Sequence, residues 1–241
     1  MHLGKQFEKE EAISFCTPKD MRYPVALKEI SGSPSILYYQ GNIEILNQYQ
    51  SVAVIGNRKI SAQGKRFAYW TGKAVAEAGM NVVNGLAIGC DSEALRGAVE
   101  NGGRCVVILP CGLDCIVPKC NEKLADLILE NGGCLISEYK AGVKPERYRY
   151  VERDRLQSGV SQGVLVVEAE ENSGTMHTVK YALKQNRRLA YYYYKLLNMS
   201  TGNRTMEELG KAQILKEESD LHDFLQEILN TDVYQQMTLQ L

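Results

Sequence analysis

The stretch Ser51-Val-Ala-Val-Ile-Gly-Asn-Arg58 decides how the rest of the chain is read. Val52, Ala53, Val54 and Ile55 are consecutive apolar residues with no polar interruption. A strand of that kind has both faces covered, as in a parallel sheet clad by helices. Gly56 lets the backbone turn sharply, and Asn57 and Arg58 follow at the strand's C-terminal end. Open α/β sheets bind ligands in the crevice beyond those ends. The turn therefore stands where a phosphate is expected.

Working outward, the same pattern repeats. Strands are expected at Val52–Ile55, Asn81–Val83, Cys105–Leu109, Cys134–Glu138, Val164–Glu168 and Arg188–Tyr193. Helices are expected between them, at Gln63–Ala78, Asp91–Glu100, Leu124–Glu130, Arg153–Gln162 and Thr175–Gln185. In the first of these, Phe67, Trp70, Ala74, Val75 and Ala78 recur at helical spacing and Gly79 supplies a stop. Ile36–Gly41 reads as a short β segment upstream, and Thr205–Leu209 and Leu221–Leu229 as closing helices. Alternation of this kind specifies an α/β fold. The sheet is doubly wound and mostly parallel, with helices on both faces, because parallel neighbours need crossover helices. The run Tyr191–Tyr194 reads either as a strand with one wet face or as part of an interface.

Composition bounds the function. The chain has 241 residues and a formal net charge of −1, so nucleic-acid binding requires a local basic patch. It contains no long apolar run of the kind that spans a membrane. Met1–Asp20 is charged and mixed, without the apolar core of a signal peptide, so a cytoplasmic location is expected. The seven cysteines are an odd number, which argues against a disulfide framework. Cys111, Cys115 and Cys120 lack paired CxxC spacing and a nearby histidine, so they read as reduced thiols and no metal is expected.

Four strand ends carry polar or glycine-rich turns: Gly56-Asn57-Arg58, Asn84-Gly85 through Gly89 to Asp91, Pro110 to Asp114, and Ser173-Gly174-Thr175. Glycines there let backbone N–H groups approach an anion at a helix N-terminus. Asp91 also reads as a helix cap. None of the turns matches a P-loop or a dinucleotide fingerprint. Between the fourth and fifth strands, Lys144, Arg147, Arg149, Arg153 and Arg155 are interleaved with Tyr148 and Tyr150. Guanidinium groups pair with phosphates and rings stack on bases, so this stretch suits an extended anionic ligand. It also reads as a solvated loop with Glu146, Glu152 and Asp154 as ion-pair partners. No catalytic constellation is visible: His2, His177 and His222 are scattered, and Glu168 and Glu170 lack an evident partner.

These residues resemble the DprA (Smf) family of DNA-processing proteins. The resemblance rests on Gly56-Asn57-Arg58 with Ser61 and Gly64, Asn84–Leu95, and Pro110–Pro118 with Asn121 beyond. It rests further on Ser137-Glu138, Tyr150–Leu156, and Val166–Ala169 followed by Ser173-Gly174-Thr175. It covers residues 22–212, between an N-terminal extension (1–21) and a C-terminal helical tail (213–241). It implies an extended Rossmann-like fold that binds single-stranded DNA in a basic pocket, and a homodimer. It also implies loading of a RecA-type recombinase during natural transformation, with no catalysis and no cofactor. By the same resemblance, Gly56, Asn57, Arg58, Asn84, Gly85, Gly89, Arg147, Tyr150, Arg153, Arg155, Ser173, Gly174 and Thr175 are the candidate binding residues. Arg58 and Arg147 would hold phosphates, Tyr150 would pack by a base, and Arg153 and Arg155 would build the wall. The chain departs from the family pattern at Asn57, Asn84, Leu95 and Asp154, which stand for Ser or Thr, Ser, His and Asn. Longer members carry an N-terminal helical domain and a C-terminal winged-helix domain for which this sequence has no room, so a divergent, core-only member is expected. The alternative is a nucleotide-binding sensor or a phosphoribohydrolase-like enzyme on the same fold; a further one is an interaction module whose pocket has decayed.

Overall fold

The computed structural model describes residues 13–193 and 200–238. The expectations for residues 1–12 and for Tyr194 lie outside the described residues. Nine strands among those residues form one sheet. In chain order they are β1 (Ser14–Cys16), β2 (Leu37–Gly41), β3 (Ser51–Ile55), β4 (Asn81–Asn84), β5 (Cys105–Ile108), β6 (Cys134–Ser137), β7 (Gly163–Val166), β8 (Arg188–Tyr192) and β9 (Gln213–Leu215). The helices are α1 (Val25–Lys28), α2 (Ile45–Gln48), α3 (Ala62–Glu77), α4 (Cys90–Val99), α5 (Glu122–Glu130), α6 (Arg147–Gly159), α7 (Thr175–Lys184), α8 (Thr201–Leu209) and α9 (Glu218–Thr238).

The spatial order is β1-β2-β6-β5-β4-β3-β7-β8-β9. Every pairing from β6 across to β9 is parallel, while β1 and β2 add an antiparallel edge. The chain starts this parallel region at β3, winds outward through β4, β5 and β6, then returns to place β7 on β3's other side. The winding direction reverses between β3 and β7. The fold is thus the α/β, extended Rossmann-like, doubly wound sheet expected from the sequence.

Strand alternation builds two cores. Val52 and Val54 face one, shared with α3, α4, α5 and α9. Ala53 and Ile55 face the other, shared with α1, α2, α6, α7 and α8. All four residues are essentially buried, which is why the run Val52–Ile55 carries no polar residue on either face.

The structure departs from the sequence reading in three places. First, α6 begins at Arg147, so the arginine–tyrosine stretch is helix and not loop. Only Leu156 within it joins the hydrophobic core, with Val160 just past its end, so its first turns show no apolar period. Second, β1 and β9 are strands of three residues each, too short to show alternation, and they carry the sheet past residues 22–212 on both sides. Third, Tyr191 and Tyr192 do not form a strand with a wet face. They are buried in opposite cores. The Tyr192 ring stacks on Phe67 at 4.7 Å, and its hydroxyl shares a 2.8 Å hydrogen bond with Thr71 Oγ1.

Candidate functional site

The helices that follow β3 and β7 leave on opposite faces: α3 packs into one core and α7 into the other. A crevice opens where the two chains diverge, as doubly wound sheets require at a reversal of strand order. It is a cleft of about 540 Å³. Arg58, Lys59, Glu170 and the Ser173-Gly174-Thr175 turn line its more exposed part. Asp91, Arg153, Asp154, Gln157 and Thr178 line its buried part.

Helix geometry supplies one wall. Tyr150, Arg153, Asp154 and Gln157 all line the cleft and are spaced i, i+3, i+4, i+7 on α6, so they form one stripe. The guanidinium of Arg58 lies 5.6 Å from the centre of the Tyr150 ring. No carboxylate among the described residues comes within ion-pair distance of Arg58 or Lys59. The two strand-end turns are tied together by Asn57. Its N–H donates to Glu168 O at 2.7 Å, and its Oδ1 accepts from Glu170 N at 3.2 Å. Its carbonyl accepts from Cys90 N at 3.1 Å. Glu168, an isolated carboxylate in the sequence, accepts from the N–H and hydroxyl of Ser61, the residue that caps α3. Gly89 has φ +83° and packs against the carbonyls of Asn57 and Arg58, where a Cβ would fall 2.3 Å from Arg58 O.

The inner end is a charge cluster. Arg153 is 6% exposed, donates from Nη1 to Ile108 O at 3.0 Å, and places Nε 3.3 Å from Asp154 Oδ1. That last contact is an ion pair without hydrogen-bond alignment, and Nε has no hydrogen-bond partner. Asp154 Oδ1 accepts from Gln157 Nε2 at 2.8 Å. Burial pushes the Asp154 carboxyl up to about 7, against the opposing pull of Arg153. Burial likewise pushes Asp91 up to about 6, again opposed by Arg153.

The structure corrects the sequence reading of several candidates. The N–H groups of the second turn do not face an external anion: Gly85 N and Ala87 N donate to Asp91 Oδ2 at 3.1 and 3.2 Å. The protein's own carboxylate fills that nest. Asn84 is buried and braces the turn, donating to Val54 O and Asp91 O and accepting from Leu86 N. Gly85 supports Arg153 from behind. Arg155 does not build the wall. It donates to Gly32 O, Glu152 O and both oxygens of Glu138, away from the cleft. Arg147 is exposed and outside the cleft lining, on the Tyr150 face of α6 one turn nearer its start. Gly56, Asn57, Arg58, Tyr150, Arg153, Ser173, Gly174 and Thr175 do converge. The Ser173 hydroxyl donates to Glu170 O, while the Gly174 and Thr175 N–H groups open α7 without intrahelical acceptors.

The sequence reading missed Lys59, Gln157, Glu170 and Thr178 as lining residues, and took Asp91 only as a cap. Gln157 was accessible from helical spacing, three residues after Asp154. His177 does not line the cleft. Cys111 donates its thiol to Cys115 O within its own turn, and among the described residues no cluster of ligating side chains could hold a metal. No described helix is long and apolar enough to cross a membrane.

The model of the DNA recombination-mediator protein A family matches residues 14–226, which hold all nine described strands and both walls of the cleft. The chain belongs to that family. The family resemblance read from the ordered motifs is borne out. The chain is similar to DNA processing protein DprA of Streptococcus pneumoniae, 36% identical over 77% of this chain and 64% of that protein. It is also similar to protein Smf of Synechocystis, 38% identical over 72% of this chain and 44% of that protein. It thus spans about half to two thirds of these relatives. The solved structure of the Streptococcus pneumoniae protein superposes with a TM-score of 0.80, at 31% identity over 91% of this chain and 75% of that one. The Helicobacter pylori DNA processing protein A, whose structure describes a single-stranded DNA binding mode, gives 0.80 at 27% identity over 92% and 98%. Molybdenum cofactor binding and carrier proteins share the fold at 18% identity.

Proposed function

We propose that this chain binds single-stranded DNA in the cleft between β3 and β7. As a homodimer, it would pass that strand to a RecA-type recombinase during the uptake of DNA in natural transformation. The role is one of binding and hand-over, not catalysis. The observation that carries the reading is Arg58: an exposed guanidinium, without a carboxylate partner among the described residues, beside the Tyr150 ring at the cleft's entrance. A cation for phosphate next to a ring for a base is the pairing that single-strand binding uses. The N–H groups of Gly174 and Thr175, which have no hydrogen-bond acceptor among the described residues, support a second phosphate contact across the cleft. Family membership and the DNA-binding relative from Helicobacter pylori support the same reading.

Fluorescence anisotropy with single-stranded and duplex DNA tests it. The expected result is salt-sensitive binding that favours the single strand. Arg58→Ala should bind about tenfold more weakly, with a salt slope smaller by about one. Unchanged affinity in Arg58→Ala, or turnover of a mononucleotide, would overturn it. Recombinase hand-over is checked by whether the chain speeds filament formation on strands already coated with single-strand-binding protein.

A further inference from the structure

The buried end of the cleft has a charge opposite to its entrance. Arg153 is set there between two carboxylates, Asp91 and Asp154, each 6% exposed. One guanidinium against two carboxylates leaves this end acidic when both are ionised. A phosphate is repelled from it and attracted to Arg58 and Lys59 at the entrance. The group that reaches the inner end of a bound strand must therefore be a base. The cleft, at about 540 Å³, is large enough to take one.

The inner end presents hydrogen-bond acceptors. Asp154 is more than nine-tenths buried. Its Oδ1 already accepts from Gln157, but no hydrogen bond from the described residues reaches Oδ2. Gln157 uses its amide nitrogen on Asp154 and Thr178, so its carbonyl oxygen is the atom left over. Neither oxygen is among the fully buried unpartnered atoms, so both remain accessible from the cleft, where a ligand N–H would satisfy them. Adenine, cytosine and guanine each offer an exocyclic amine. Thymine offers a single ring N–H flanked by two carbonyl oxygens, which would be turned toward a carboxylate.

We infer that Asp154 is a specificity-determining residue, making this cleft prefer a base that bears an exocyclic amine over thymine. The inference rests on the proposed single-strand site and adds base choice to it. Asparagine, the residue expected here from the family pattern, carries both a donor and an acceptor and satisfies either class of base. Aspartate at about pH 8 offers acceptors alone.

The test compares dC and dT homopolymers of about 20 nucleotides at about pH 8, where cytosine is neutral and Asp154 ionised. The wild type should bind dC about five- to tenfold tighter than dT. Asp154→Asn should lose that ratio by gaining affinity for dT, with thermal melting reporting that it is folded. Asp154→Glu keeps the acceptor and should keep the sign of the preference. Equal affinity of the wild type for dC and dT, with both still weakened by Arg58→Ala, overturns the base preference and leaves the binding site standing. A dC preference that survives in Asp154→Asn overturns the assignment to Asp154. Binding of neither homopolymer overturns both readings.

Discussion

Gly85 and Arg153 touch so closely that a Cβ on residue 85 would lie 1.3 Å from Arg153 Nη1. The glycine of the second strand-end turn is thus the back wall for the most buried guanidinium of the cleft. The same nitrogen is held by Ile108 O at 3.0 Å, so it cannot retreat without losing its hydrogen bond.

Gly85→Ala therefore displaces Arg153 into the cleft. We expect a loss of about 1–3 kcal/mol of stability from overpacking and a loss of single-strand binding larger than that of Arg58→Ala. Thermal melting and anisotropy on the same preparation check this. A variant with wild-type melting and wild-type affinity would show that Arg153 relaxes without cost.

The two raised carboxyls give the cleft a pH dependence. Asp154 is faced by Arg153, Asp91, Gln157 and Arg58, with Lys59 and Glu170 also lining the cleft. As pH falls from about 8 through 7 and then 6, first Asp154 and then Asp91 takes up a proton and the inner end loses negative charge. Affinity for dT strands should rise over that interval, and the dC preference should shrink. Asp154→Asn should flatten the upper part of the curve. Titrations at constant ionic strength between about pH 6 and 8 read this directly.

Stability follows the opposite convention from a salt-bridged aspartate. Both folded values lie above the ordinary 3.8, so between about pH 4 and 7 the folded chain holds more protons than the unfolded one. The contribution of these groups is complete below that window and declines as pH rises through it. At pH 8, Asp154→Asn should raise the melting temperature by about 2–6 °C, and the gain should vanish near pH 4.

Asn57 joins the turn after β3 to the turn after β7 through its side-chain oxygen and Glu170 N. Asn57→Ala should cost about 1 kcal/mol and weaken DNA binding, because the two sides of the cleft are then no longer held in register. Melting and anisotropy together test this; a loss confined to one readout would show that the contact is not a brace.

Arg155 gives the contrasting case. Its guanidinium joins Gly32 O, Glu152 O and Glu138 and takes no part in the cleft. Arg155→Ala should lose about 2–3 kcal/mol, in line with hydrogen bonds to charged groups, while the folded fraction keeps wild-type affinity. Weakened binding by fully folded Arg155→Ala would return this residue to the site.

The sequence alone determined the layered fold and the end of the sheet at which a ligand would sit. Apolar strand runs, helical spacing and glycine stops are local signals, and parallel strands joined by helices have few solutions. It also brought forward Arg58 and the Ser173-Gly174-Thr175 turn, because residues just past strand C-termini share one edge, and Tyr150 through the arginine–tyrosine stretch that suits a nucleic acid. The fates of Arg153 and Arg155 were decided by tertiary structure. Two residues apart on a helix, they point about 200° apart, so one enters the cleft and the other leaves it. Both lie on the helix expected at Arg153–Gln162, so their opposite directions were legible, but which face of that helix meets the sheet edge was not, since a polar helix with few core contacts shows no apolar period. The same holds for Asp91 and Asp154. Their charges mean little in sequence, and only burial around one arginine makes them the acidic end of a basic cleft.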